Sequence, residues 1–187
     1  MAETKSHLTG TYAIDPVHSR IGFAVRHAMV SKIRGSFNEF DGSGFFDADV
    51  PSNSRLQLTI KVDSIDTRNS DRDAHLRTND FFDMENYPEI TFSSTSVEEK
   101  GDDEFLVTGD LTVRGVTKPV TIDFEHTGAA TDPFGNKRVG FEGKTEVNRK
   151  DWGINWNATL DAGGVMIGDK VTLDFDVSAI RNDDAAS

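Results

Sequence analysis

The chain reads as an all-β protein, an eight-stranded antiparallel β-barrel carrying a short helical or looped cap. Three observations predict this. Apolar residues recur at every second position along most of the chain, clusters of Gly, Pro, Asn and Asp separate these runs, and one stretch, Arg72 to Phe92, follows neither rule.

The first strong strand is Arg20 to His27, where Ile21, Phe23, Val25 and His27 share one face and Arg20, Gly22, Ala24 and Arg26 the other. One dry face and one wet face mark a half-buried antiparallel strand. Ile33 to Phe46 reads as the second, interrupted by Gly35, Gly42 and Gly44, because glycines inside strands mark the bends that closing a barrel requires. Leu56, Leu58, Ile60 and Val62 define the third. Ile90 to Val97, Phe105 to Val113, Val120 to Glu125, Val139 to Val147 and Val171 to Ser178 complete the eight. The segments DGSG after Phe40, PSNS at Pro51, EEKGDD at Glu98 and TDPFGNK at Thr131 read as loops by composition, and Arg114 to Pro119 as a turn.

The exception predicts the cap. From Arg72 to Tyr87, charged residues alternate with Leu76, Phe81 and Phe82 ahead of a Tyr-Pro break. A short helical or coiled piece there lays its apolar side chains over something apolar and keeps its charges wet. At 187 residues the chain suits one domain, the barrel over 10–181, with polar ends 1–9 and 182–187 expected to fray.

Composition excludes several functions. With 32 acidic against 20 basic residues the net charge is -12, which repels phosphate backbones and anionic membrane surfaces, so nucleic acid is not an expected partner. The absence of Cys removes disulfide scaffolds, zinc ribbons, thiolate nucleophiles and iron-sulfur clusters. No run of roughly 18 apolar residues predicts stable membrane insertion, and MAETKSHLTG lacks the apolar core of a secretory signal. A cytoplasmic location is therefore expected, or a periplasmic or secreted one if a signal has already been removed.

An eight-stranded barrel is either just filled by side chains or holds one small ligand. Thirteen Phe against two Tyr and two Trp give flat rings with no polar atoms to satisfy, on the inward parity of many strands. Parity alone does not choose between a dense core and a lined tube.

A set of ordered landmarks resembles the YceI family of lipid-binding, lipocalin-like barrels. The set runs from Ile14-Asp15-Pro16-Val17-His18-Ser19 through Gly35-Ser36-Phe37, Ser64-Ile65-Asp66-Thr67 and Arg72-Asp73-Ala74-His75-Leu76-Arg77. It continues with Asp80-Phe81-Phe82-Asp83, Tyr87-Pro88-Glu89-Ile90-Thr91-Phe92, Gly109 to Lys118, Asn148-Arg149-Lys150-Asp151-Trp152-Gly153 and Ile167-Gly168-Asp169-Lys170-Val171. No single piece is specific, whereas the order of the set is.

The resemblance implies an elongated pore that binds, stores or transports a long isoprenoid: a polyprenyl chain, its pyrophosphate or a quinone tail. Such a ligand needs no cofactor and no reaction chemistry. The candidate wall residues are Phe23, Val25, Phe37, Leu58, Ile60, Phe81, Phe82, Phe92, Leu111, Val113, Ile122, Phe124, Phe141, Trp152 and Phe175, with His27 at one mouth. His27, His75, Arg77 and Arg114 are candidates for the head group. A buried His satisfied by backbone accounts equally well for His27, and solvated surfaces account for the other three. Arg149, Asp151 and Trp152 read as mainly structural.

Other classes are weaker. An enzyme acting on the lipid with His27 or His75 as general base has no GxSxG or similar nucleophile motif behind it. A filled barrel serving only as an interaction module is the remaining alternative. His18, His27 and His75 lack the spacing of a metal site, and the Asp41, Ser43, Asp47 run has Ser52 where a calcium loop wants Glu. A homodimer is compatible with such a barrel.

Overall fold

Eight long strands close on themselves, three of them broken along their length. A computed structural model describes residues 5–161 and 163–182. The strands are β1 (Gly10–Ile14), β2 (Arg20–His27), β3 (Ser31–Phe37), β4 (Phe40–Phe46), β5 (Arg55–Lys61), β6 (Ile65–Asp66), β7 (Glu89–Gly101), β8 (Glu104–Val113), β9 (Val116–Thr131), β10 (Lys137–Asn148) and β11 (Ile167–Arg181), with α1 over Ser70–Arg77. All pairings are antiparallel. The sheet runs β1-β4-β5-β7-β8-β9-β10-β11 and closes because β11 pairs back onto β1.

The breaks explain why eleven strands make an eight-stranded ring, the simplest being β5, which β6 continues past the Val62–Ser64 turn to pair with β3. β11 pairs with β2 through Ile167–Asp176 and with β1 through Ala179–Arg181, so β1 and β2 are the lower and upper halves of one strand. Between them Asp15 accepts from Val17 N at 3.0 Å and Pro16 starts a 3-10 turn. β3 and β4 are likewise one strand, bent at Asn38–Glu39 where Asn38 N donates to Ser64 O and Lys61 N to Glu39 O. The expected strand from Ile33 to Phe46 is therefore present, but its break falls at Asn38. DGSG, expected as a loop, pairs inside β4 with Leu56–Thr59 of β5.

The ends differ from expectation on one side. Lys5–Leu8 form a 3-10 turn with Leu8 alone buried, and Tyr12 Oη donates to Leu8 O at 2.7 Å, so the chain is tied down at Leu8, inside the stretch expected to fray. Asn182 N donates to Thr11 O at 2.7 Å, while residues 1–4 and 183–187 lie outside the described residues.

One pole of the barrel is capped by the β5–β7 connection. Asn69 caps α1 by accepting from Arg72 N, and buried Asp73 accepts from Thr67 N at 2.9 Å and Thr67 Oγ1 at 2.5 Å. These bonds satisfy the orphan amides of a helix too short to stand alone. Leu76, Phe81 and Phe82 then turn onto the barrel, as the sequence predicts.

Candidate functional site

The barrel encloses a cavity of about 320 Å³. With each water-sized group taking a share of about 30 Å³, that is room for roughly ten groups of methylene size. Its wall is almost wholly apolar: strands β2 to β5 and β7 to β11 each contribute inward residues, and Phe81 and Phe82 close it from the cap.

Burial is uneven around the wall. Leu58, Ile60, Phe92, Val107, Ile122 and Phe124 are buried against one another. On the opposite side, Phe23, Val25, Ile33, Val171, Leu173, Phe175 and Val177 face inward yet are only half-buried, because they border the void instead of a neighbouring side chain. A barrel so rich in Phe stays open because rings lie flat along its wall. Phe23 is directly opposite Gly35 and Phe124 directly opposite Gly143, and a Cβ at either glycine would collide with the ring. Each ring covers a backbone that has no side chain, which is how glycine in a strand is paired with an aromatic neighbour.

Phe23, Val25, Phe37, Leu58, Ile60, Phe81, Phe82, Phe92, Leu111, Val113, Ile122, Phe124, Phe141, Trp152 and Phe175 all line the cavity. His27 does not. It ends β2 opposite Ile167 and Ser31, beside the register shift between Ile167 and Val171, and of these three residues only Ile167 reaches the lining.

The other head-group candidates also point elsewhere, each into a contact that anchors the cap. His75 Nε2 lies 2.8 Å from Asp80 Oδ2, and its ring meets Trp156 and Phe81 edge-on at 4.7 and 5.0 Å. Arg77 donates to Asp63 O at 3.0 Å, and Arg114 donates to Phe81 O at 3.0 Å. None of the three lines the cavity.

The cations that do reach the lining are Arg55, Arg72 and Arg149, none of them expected there. Arg72 spans the cap edge, donating from Nε to Thr67 Oγ1 (2.7 Å) and from Nη2 to Thr67 O (2.6 Å). Arg149 is buried, and its donors are taken by backbone: Gly168 O at 2.9 Å, Ile154 O at 2.9 Å and Trp156 O at 2.8 Å. Burial pushes its pKa down and Asp169, at 3.9 Å, opposes this. The contacts pin the 153–168 connection to the barrel beside Trp152, whose Nε1 donates to Leu111 O. The structural reading of Arg149 and Trp152 therefore holds, though both also face the void.

At the opposite pole, Arg138 bridges Asp15 (2.8 Å) and Asp132 (2.9 Å), tying the β9–β10 hairpin to the β1–β2 bend. Arg138, helped by His18, holds the Asp15 carboxyl at about 2. Desolvation works against ionisation of Asp132, but bonds from Arg138, Asn136 and Phe134 outweigh it and keep its pKa well below the usual carboxylate range. Among the described residues no cluster of three His, Cys, Asp or Glu could hold a metal, and no helix is long and apolar enough to cross a membrane.

A closed antiparallel ring around a capped apolar void defines a lipocalin-like β-barrel. Residues 12–179 match the YceI-like domain model, and the chain belongs to the YceI family. The UPF0312 protein plu2095 of Photorhabdus laumondii is 42% identical over 162 residues, covering 86% of this chain and 83% of that protein. BcnA of Burkholderia cenocepacia superposes with a TM-score of 0.78 at 23% identity, over 88% of this chain and 98% of that one. A polyisoprenoid binding domain from Saccharophagus degradans, implicated in plant cell wall breakdown, superposes with a TM-score of 0.67 at 17% identity, over 91% of this chain and 98% of that one. These two solved structures bear on the fold.

Proposed function

We propose that the barrel binds one long isoprenoid lipid, its chain inside the cavity, as a storage or transport protein. The observation that carries this reading is the apolar void of about 320 Å³ beneath a cap whose underside is Phe81 and Phe82. At about 0.8 kcal/mol per buried methylene, roughly ten methylenes filling that space gain on the order of 8 kcal/mol gross, which offsets the cost of ordering the chain. The likeness in fold to the polyisoprenoid binding domain of Saccharophagus degradans supports the same ligand class.

Binding is favoured over catalysis on this reading. His75 and Asp80 form a base-and-carboxylate pair, but the pair stands outside the cavity lining and braces the cap. The void likewise disfavours a filled interaction module. A single barrel domain, the absence of a cofactor and a cytoplasmic location belong to the proposal and rest on the sequence. The test is organic extraction of freshly purified protein followed by mass spectrometry, with titration of a polyprenyl alcohol into the extracted protein. A prenyl species at one per barrel is expected. No prenyl species and no uptake would overturn the reading.

A further inference from the structure

The β2–β3 hairpin stands at the capped pole, and three of its features cost stability without any return inside the fold. Its turn, His27 to Val30, is closed by Val30 N donating to His27 O and has both central residues left-handed, Ala28 at φ 51° and Met29 at φ 61°. Ser31 pairs with His27, so the loop is three residues long, and positive φ at two of them favours Asn or Gly, which makes an Ala-Met pair strained there. Its tip presents apolar side chains to solvent: Met29 is 65% exposed and Val30 83%. Val165, 44% exposed, stands beside it on the 153–166 connection, where Met29 Sδ packs against Gly164 and Ala28 N donates to Met166 O.

The third feature is charge. Arg26 lies directly opposite Lys32 across the hairpin, with Arg34 further along the same outward face. Like charges directly opposed destabilise a sheet. All three are exposed, and among the described residues none forms an ion pair, although the chain carries 32 acidic residues and Arg20, Lys61 and Lys100 elsewhere on the barrel are each paired with one. The nearby carboxylates are engaged: Asp169 with Lys150 at 3.3 Å and Glu146 with Lys170 at 3.8 Å.

We propose that this hairpin tip docks the barrel on an anionic lipid bilayer. Met29, Val30 and Val165 enter the headgroup boundary, and Arg26, Lys32 and Arg34 meet the anionic headgroups around them. Strain held at an exposed turn is the kind of outlier that marks function. The pattern of a few apolar side chains ringed by cations suits a membrane interface. It does not suit a protein partner, which needs on the order of 1,000 Å² of matched surface. The net charge of -12 forbids general adhesion, so contact is confined to the one face where positive charge is local. The inner face of the same hairpin, Phe23, Val25 and Ile33, lines the cavity, so docking brings the cavity wall to the bilayer. The purpose of the contact rests on the lipid-binding reading; the contact itself does not.

Flotation of the full chain with phosphatidylcholine vesicles, and with vesicles containing about 30 mol % phosphatidylglycerol, tests this. Salt-sensitive binding to the anionic vesicles alone is expected. Arg26→Gln with Lys32→Gln removes two cations and lowers that binding roughly 30-fold, at about fivefold per charge. Ala28→Asn with Met29→Gly supplies the preferred turn residues, so it lowers vesicle binding while thermal stability stays level or rises. Extraction of bound lipid from the same samples separates failure here from failure of the lipid-binding reading. The proposal is overturned by absence of vesicle binding, by equal binding of the variants, or by hairpin-dependent self-association or capture of an acidic protein without vesicle binding.

Discussion

Replacing Leu173 by Trp distinguishes a hollow barrel from a packed one. Leu173 sits at mid-height on β11, opposite Phe23 and Thr145, inward-facing and half-buried against the void. The substitution adds about six heavy atoms to a void of about 320 Å³ with room for roughly ten water-sized groups. In a close-packed core, such overpacking costs about 1–3 kcal/mol. In the void, the indole gains contacts, so the melting temperature of the lipid-free protein is expected to stay level or rise. The ligand loses the same space. About six chain carbons forced out forfeit up to about 5 kcal/mol at 0.8 kcal/mol per methylene, and relaxation of chain and cap returns part of it, leaving affinity for a polyprenyl alcohol at least about tenfold weaker. Thermal unfolding of extracted protein and native mass spectrometry of the loaded protein read the two effects separately. A destabilised protein that takes up lipid undiminished would refute the reasoning, since it would put the packing where the void is claimed and the lipid elsewhere.

Arg149→Met is expected to lower stability by about 3 kcal/mol in chemical denaturation, because it leaves the Gly168, Ile154 and Trp156 carbonyls without their donor. Asp15 has its pKa depressed in the folded state, so its contribution is present above the unfolded value of 3.8 and is lost as pH falls from there through about 2. Unfolding free energies from chemical denaturation across that window are expected to fall more for the native protein than for Asp15→Asn, by about 1 kcal/mol after allowance for solvent screening. His75→Ala removes the contact to Asp80 and the edge-on contacts to Phe81 and Trp156. Exchange of a fluorescent polyprenyl probe is expected to quicken severalfold, with less than about 1.5 kcal/mol lost from global stability.

Strand parity locates the wall because a closed sheet has only an inside and an outside, so alternation alone assigns Leu58, Ile60, Ile122 and Phe124 correctly. The same rule fails at His27, beside a register shift, where its partner Ile167 lines the cavity and His27 does not. It also cannot see Arg72 and Arg149, which lie in a helix and a turn, where period two has no meaning, and which reach the lining only through the folding of connections far away in sequence. Whether the interior is filled is illegible for a different reason. The void depends on Phe23 and Phe124 lying flat over Gly35 and Gly143, a pairing between strands that neither residue reports on its own. The exposure of Met29 and Val30 is hidden in the sequence because an Ala-Met turn carries no turn signal.

The change of partner along β11 has a practical corollary. Because its last residues pair with β1, Thr11 and Asn182 are hydrogen-bonded neighbours at the pole away from α1. A tag, tether or fused module joined directly ahead of Lys5 or after Asn182 would start beneath the molecule, leaving the lid and its approaches unobstructed. Arg181 also donates to His7 O at 3.0 Å, so a short linker from Asn182 to Lys5 should allow a circularly permuted version, reopened at the exposed 132–136 turn, that keeps every strand pairing intact.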